Sequence, residues 1–87
     1  MELEKLRKEL AKVDSKIVYL LEQRKNTVLK IGKIKELKGI HMVQKEREQK
    51  TLQRLVKQTN VDPKIVKKIY FILFSYSHKL QKKKRYY

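Results

Sequence analysis

The sequence predicts an all-α fold with three helices per chain, one of them very long. Apolar residues in the first 38 positions recur at spacings of three and four, which is the period of an amphipathic helix. Signals that end or begin a helix occur at Gly39 and in the segment 60–63, and no segment has a strand pattern. At 87 residues the chain forms one domain at most.

The first helix is predicted from about Glu2 to about Lys38, where Gly39 supplies a stop. Only Gly32 interrupts it, at a cost of about 1 kcal/mol relative to alanine. The helix would be roughly 50 Å long, whereas a compact globule of this length has a diameter of only about 30 Å. Because the helix must overhang its own domain, we predict an intertwined or side-by-side helical-bundle homodimer. The apolar stripe of this helix consists of Leu3, Leu6, Leu10, Val13, Ile17, Leu20, Leu21, Val28, Ile31 and Ile34.

Two shorter helices are predicted after a link over residues 39–43. The second helix runs from about Gln44 to about Thr59, and the third from about Pro63 to about Lys83. Asp62 can cap the third helix, and proline suits its first position. The apolar residues of these two helices are Leu52, Leu55 and Val56 in the second, and Ile65, Val66, Ile69, Ile72, Leu73, Tyr76 and Leu80 in the third.

The composition is strongly basic, with 24 Lys and Arg against 9 Asp and Glu and a formal net charge of +15. Such a charge attracts nucleic acid, acidic membranes or a polyanionic small molecule. The chain has no cysteine, which excludes disulfides and cysteine-based metal sites. No apolar run approaches the length of a membrane span, and the N-terminal segment is charged from Glu2 onward. We therefore expect a cytoplasmic protein without a membrane partner.

The domain is expected to span residues 1–81, followed by a frayed basic tail over residues 82–87. His41 and His78 lie on different elements with no metal-ligand spacing around them, so both are expected to face solvent. Met42 is expected to pack the first link onto the bundle. No metal is predicted.

Polar residues interrupt the apolar faces of all three helices. Arg24 and Lys35 fall within the stripe of the first helix, eleven residues apart and so roughly 16 Å apart along its axis. Buried cations need an anion nearby, which indicates a binding site for a small anion between them. Glu48 lies on the apolar side of the second helix, and Ser77 and Gln81 continue that of the third. These groups can converge in the bundle core, where helical proteins build small-molecule sites.

The same residues form a pattern that resembles the all-helical (type II) chorismate mutases. The segment from Leu6 to Lys35 is similar to the first helix of that family, and the similarity covers nearly the whole chain except the basic tail. The matching motifs are Leu6-Arg7, Asp14, Leu20-Leu21-Glu22-Gln23-Arg24, Gly32-Lys33-Ile34-Lys35, Arg47-Glu48, and Ser77 with Gln81 four residues later.

The resemblance implies an isomerase that converts chorismate to prephenate in the shikimate pathway of aromatic amino-acid biosynthesis. The reaction is an intramolecular [3,3] rearrangement that needs no cofactor. Arg24 would bind one substrate carboxylate in a bidentate fork, and Arg7 would bind a carboxylate from the partner chain. Arg7 lies about 25 Å from Arg24 along the same helix, so it could not share the pocket within one chain.

The resemblance also assigns the remaining polar residues. Lys35 and Gln81 would donate to the ether oxygen of the substrate. Because an amide donates at any pH, we predict a kcat that is nearly flat from about pH 5 to 8. Glu48 would accept from the substrate hydroxyl and help orient Lys35, while Arg47 and Ser77 would complete the lining. Gln44 stands where an acidic residue is common, which leaves its contact with the hydroxyl open.

Two other functions compete with the mutase. Isochorismate–pyruvate lyases use the same scaffold, but the full set of Lys35, Arg47, Glu48 and Gln81 favours the mutase. A nucleic-acid-binding helical dimer would explain the net charge and the basic tail. The sequence has no recognisable reading helix or stacking platform, so we expect no nucleic-acid partner. A purely structural coiled-coil dimer would not explain why polar groups recur inward on all three helices.

Overall fold

The computed structural model describes the backbone of residues 1–41 and 43–84, with the side chains of these residues up to position 82. It contains three helices, α1 (Glu2–Lys38), α2 (Lys45–Lys57) and α3 (Pro63–Lys84), and no strand within this part of the chain. The prediction of an all-α, three-helix chain is therefore confirmed. The expected packing of Met42 and the end of the basic tail lie outside the described residues.

The helix ends follow from local sequence. Gly39 adopts the left-handed conformation, with φ 68°, and ends α1. Ile40 N–H donates to the Lys35 carbonyl at 2.8 Å, and Gly39 N–H donates to the Glu36 carbonyl at 3.4 Å. This pair of bonds is a Schellman motif, which satisfies carbonyls that the helix end leaves without partners. At the start of α3, the Asp62 carboxylate accepts from Lys64 N–H at 2.9 Å, as expected of a capping residue.

The third helix is the central element of the chain. It packs against both α1 and α2, while the described parts of α1 and α2 do not pack directly against each other. Among the residues whose side chains are described, those buried within the single chain are Val28, Gly32, Val66, Ser77 and Gln81. The space between α1 and α2 is therefore bounded on its third side by α3.

Much of α1 has no cover within its own chain. The molecule measures 56 × 27 × 15 Å, and the long dimension matches the roughly 55 Å expected for a 37-residue helix. Residues 1–23 are all exposed, including the whole apolar stripe up to Leu21. The predicted overhang of α1 is present.

The apolar face predicted for α3 is only partly covered within the chain. Of its seven apolar residues, Val66, Leu73 and Leu80 are buried or half-buried in the chain. The other four adjoin them on the same face and form an exposed apolar stripe of Ile65, Ile69, Ile72 and Tyr76. The seven residues form one continuous face, and part of it is uncovered because α3 has neighbours in its own chain on only part of its circumference.

None of the helices in the described part of the chain combines the length and the apolar character needed to cross a bilayer.

Candidate active site

A cavity of about 440 Å³ lies between the three helices. Its walls come from the C-terminal half of α1, the start of α2 and the C-terminal half of α3. The lining residues are Arg24, Val28, Ile31 and Lys35, then Gln44, Arg47, Glu48 and Thr51, then Phe74, Ser77, His78 and Gln81. Seven of the eight residues predicted for the site are therefore brought together around one cavity.

The exception is Arg7. It lies on the exposed N-terminal half of α1, about 25 Å along the helix from Arg24. Within one chain it takes no part in the cavity.

Arg24 is held in place by α3. Its Nη1 donates to Ser77 Oγ at 2.7 Å and to the Leu73 carbonyl at 3.4 Å, while Ser77 Oγ donates to that same carbonyl at 2.8 Å. The guanidinium carbon also lies 5.9 Å from the ring centroids of both Tyr70 and Phe74, which is within cation–π range. Both hydrogen bonds of the guanidinium come from Nη1. They orient its plane, while the other three of its five N–H groups remain available for a ligand.

Lys35 also lines the cavity and is half-buried. Burial lowers the pKa of its ammonium group below the usual 10.5; the nearby Glu48 carboxylate opposes this change and the Arg47 guanidinium adds to it. The lysine therefore shares the local field of two charged groups on α2. Arg47 is exposed and Gln44 is half-buried at the edge of the same wall.

Glu48 is paired with a histidine across the cavity wall. His78 Nε2 lies 2.5 Å from Glu48 Oε2, and the two side chains are 29% and 26% exposed. The prediction that His78 faces solvent was wrong, whereas His41 is exposed as predicted. The signal was present in the sequence, since His78 is four residues after Phe74 and three before Gln81 and so shares their side of the helix.

Gln81 is the most deeply buried polar residue of the site, with 5% of its surface exposed. Its Nε2 donates to the Val28 carbonyl at 3.4 Å and carries a second N–H. The side chain reaches this place because α1 has a glycine opposite it. A Cβ added at Gly32 would lie 3.0 Å from Gln81 Cγ, so the glycine allows α1 and α3 to approach closely.

Five residues line the cavity that the sequence did not assign to the site: Val28, Ile31, Thr51, Phe74 and His78. Val28 and Ile31 belong to the predicted stripe of α1. Their spacing predicted that they face inward, but it could not show whether they pack in the core or line a cavity. The described residues contain no group of His, Cys, Asp or Glu side chains that could hold a metal ion.

The arrangement can bind a small dianion. Three cations, one carboxylate, one histidine and four neutral hydrogen-bonding side chains line a cavity of molecular size, to which Val28 and Ile31 add apolar surface. Arginine can hold a carboxylate by two parallel bonds, and a lysine and an amide can donate to a single oxygen.

Comparison with known proteins agrees with this geometry. Residues 6–82 match the family model described as chorismate mutase type II. The chain is also 34% identical over 83 residues to a chorismate mutase of Methanocaldococcus jannaschii, with 92% of this chain and 84% of that protein covered. All twelve lining residues lie inside the matched range. The chain thus belongs to the type II chorismate mutase family.

Proposed function

We propose that the cavity is the active site of a chorismate mutase, which isomerises chorismate to prephenate in the biosynthesis of aromatic amino acids. The observation that carries the proposal is the convergence of Arg24, Lys35, Glu48 and Gln81 on one cavity in a chain of this family. The family match supports the mutase over the lyase and over nucleic-acid binding.

The reaction makes limited chemical demands. One C–O bond of the ether breaks while one C–C bond forms within the same molecule, and no proton changes place. The protein has to hold a flexible dicarboxylate in its compact reactive shape and to stabilise the negative charge that develops on the ether oxygen.

Arg24 is suited to hold a substrate carboxylate. Its guanidinium is oriented by Ser77 and by two aromatic rings before any ligand arrives, so little side-chain freedom is lost on binding. A fixed anchor of this kind limits the poses that the substrate can adopt.

Lys35 and Gln81 are the donors proposed for the ether oxygen. Both line the cavity, and both are at least partly removed from water, which strengthens their interaction with developing charge. The loss of one preorganised donor of this kind typically costs about 100- to 1,000-fold in kcat.

Glu48 is proposed to accept from the substrate hydroxyl and to orient Lys35, whose pKa responds to it. Arg47 and Gln44 complete this wall. An uncharged Gln44 can still accept a hydrogen bond, but it would hold a hydroxyl less firmly than a carboxylate would.

We further propose that the working enzyme is a homodimer in which Arg7 of the partner subunit completes the site. Two exposed apolar stripes support a second copy, one on the N-terminal half of α1 and the other on α3. An exposed apolar surface of this extent on a small chain favours association. Arg7 lies too far from the cavity of its own chain to contact a substrate there. We therefore propose that it contacts the substrate in the cavity of the partner subunit.

The decisive test of the reaction is the loss of chorismate absorbance with purified protein. We expect prephenate formation by the wild type and its near-abolition in a Lys35→Ala, Arg24→Ala double variant. A Lys30→Ala, Lys38→Ala variant removes two exposed cations from the same helix and serves as the matched control. A folded wild type without turnover, or with release of pyruvate instead, would refute the mutase.

The shared site can be tested by subunit mixing. Arg7→Ala and Arg24→Ala variants, each inactive alone, would be unfolded and refolded together. If Arg7 acts across the interface, half of the chains form heterodimers in which one of two sites is intact, so about one quarter of wild-type activity returns. If Arg7 acted within its own chain, both heterodimer sites would be damaged and no activity would return.

A further inference from the structure

The bond between Glu48 and His78 joins α2 to α3 inside the cavity, yet the reaction as described makes no use of the histidine. The two groups meet at 2.5 Å and are each about three-quarters shielded from water. His78 follows Ser77 directly and lies one turn before Gln81, so its helix neighbours are two residues of the proposed site.

The chemistry of the pair determines which of the two atoms carries the hydrogen of this bond. An ionised carboxylate can only accept, so the ring Nε2 must carry the proton that lies between the two atoms. The neutral ring is thereby held in its Nε2–H tautomer. The ring contacts Oε2 of Glu48, a residue that also lines the cavity.

We propose that His78 is a positioning residue that holds Glu48 in the cavity wall, and that its protonation makes substrate capture depend on pH. The inference rests on the proposed function. His78 acts through Glu48 and through its own charge, and it has no place among the donors to the ether oxygen.

The charged groups around the ring determine the sign of the effect. Arg24 and Lys35 face the cavity from α1, and Arg47 and Glu48 face it from α2. The other residues of α3 that line the cavity are neutral. The lysines that follow His78 on this helix, Lys79 and Lys82, are exposed. The formal charge of the wall is therefore +2 with a neutral ring and +3 with a protonated one.

A dianionic substrate should be captured better when the ring is protonated. Protonation of the ring adds one positive charge beside the substrate, and this charge, partly screened by solvent, should raise kcat/KM by roughly three- to tenfold as the pH falls. The kcat should stay nearly flat over the pH range of this protonation. Once the substrate is bound, Lys35 and Gln81 donate in the same protonation state throughout, and Glu48 keeps its contact with the ring in both states.

The test compares kcat and kcat/KM from about pH 5.5 to 8.5 in four proteins. Wild type and His41→Gln should both show the rise in kcat/KM at low pH, because His41 is exposed and outside the cavity. His78→Gln should lose the rise but retain most of kcat, since an amide N–H can still hold Glu48. His78→Leu should lower kcat/KM at every pH, since it removes both the charge and the donor. A wild type with flat kcat/KM, or a His78→Gln variant that keeps the rise, would overturn the proposal.

A second measurement does not depend on turnover. The ¹⁵N resonances of the His78 ring should report a single Nε2–H tautomer at high pH, and they should change in Glu48→Gln but not in Glu46→Gln, whose residue lies outside the cavity. Resonances indifferent to Glu48→Gln would refute the pairing itself. If the pairing is present and chorismate is not converted, the proposed function fails and the role of His78 in capture fails with it.

Discussion

At Gln81 a neutral amide occupies a position with 5% of its surface exposed, where the proposed reaction needs a donor. A glutamate at this position has a similar shape, but its carboxyl group donates a hydrogen bond only when it is protonated. Burial raises the pKa of a carboxyl group above its usual value of about 4.3, so the acid form persists to a higher pH than in an exposed glutamate and is lost as the pH rises further. We expect kcat of Gln81→Glu to fall as pH rises, in contrast to the flat kcat of the wild type.

Steady-state assays from about pH 4.5 to 8 would measure this profile. Gln53→Glu makes the same change at an exposed site on α2 and should leave the profile of the wild type unaltered. A Gln81→Glu variant with a high and flat kcat would argue against Gln81 as a donor in the transition state.

Lys35 sets the alkaline limit of the proposed activity. Burial lowers the pKa of its ammonium below 10.5, so the folded protein releases this proton at a lower pH than the unfolded chain does. The cost of the buried charge is present at neutral pH and is relieved as pH rises through the lowered value. We expect kcat/KM to fall at alkaline pH with a midpoint below 10.5, because the neutral amine is a poor partner for an anion.

Lys35→Arg carries a group that stays charged throughout this range, so its residual activity should lack the alkaline fall. If kcat/KM of Lys35→Arg fell at alkaline pH with the same midpoint, the fall would have to come from the titration of another group.

At the scale of elements, the crossing of α1 over α3 depends on Gly32. A methyl group there would lie 3.0 Å from Gln81 Cγ, so Gly32→Ala must displace Gln81 or separate the helices by a few tenths of an ångström. We expect kcat to fall by about tenfold or more, since sub-ångström placement of donors matters in such sites. Stability should change little, because alanine gains up to about 1 kcal/mol in helix propensity against the packing cost.

The other glycine provides the control for this substitution. Gly39 has φ 68° and open space around its α-carbon, so Gly39→Ala should cost about 1 kcal/mol of stability through backbone strain. Its kcat should be retained while the protein is folded. Urea unfolding and steady-state assays on both variants would separate the two effects, and a Gly32→Ala enzyme with full kcat would contradict the role given to this crossing.

The helices were predictable from sequence because their ends carry local chemistry. Gly39 ends α1, and Asp62 and Pro63 begin α3, where the expected capping bond is present. Helix α2 is shorter than predicted by one residue at its start and two at its end, since Gln44, Gln58 and Thr59 carry no strong signal.

Less of the cavity could be predicted. Charges interrupting an apolar stripe revealed Arg24, Lys35 and Glu48, because a buried charge is costly enough to mark its position. The contributions of Tyr70, Phe74 and His78 depend on how α3 is rotated against two helices at once, and spacing along α3 alone does not fix that rotation. Arg7 entered through family resemblance, and its contact with substrate stays a prediction.

At the scale of the whole molecule, the net charge of +15 should act on encounter with the substrate. A field of this sign attracts a dianion over a distance of about one Debye length, which is about 30 Å at 0.01 M salt and 8 Å at 0.15 M. We expect kcat/KM to fall several-fold between these concentrations while kcat stays constant.

Stopped-flow or initial-rate assays at low substrate would measure this slope. Lys67→Gln, Lys68→Gln removes two exposed charges of α3 outside the cavity and should make the slope shallower without changing kcat. A kcat/KM independent of salt would show that the charge serves another purpose.

One packing relation of the chain bears on how the enzyme opens. Because α2 rests on α3 and lacks direct packing on α1 among the described residues, it can detach without disturbing the α1–α3 crossing. Local opening of this kind exposes amides to exchange with deuterium at a free energy below that of global unfolding. We expect α2 to exchange faster than the middle of α3, and saturating prephenate to slow α2 most, because the ligand would tie Lys35 of α1 to Glu48 of α2. Among the described residues of the free enzyme, α2 packs only on α3. A bound ligand would connect α2 to α1 as well, and this connection would form and break in every turnover.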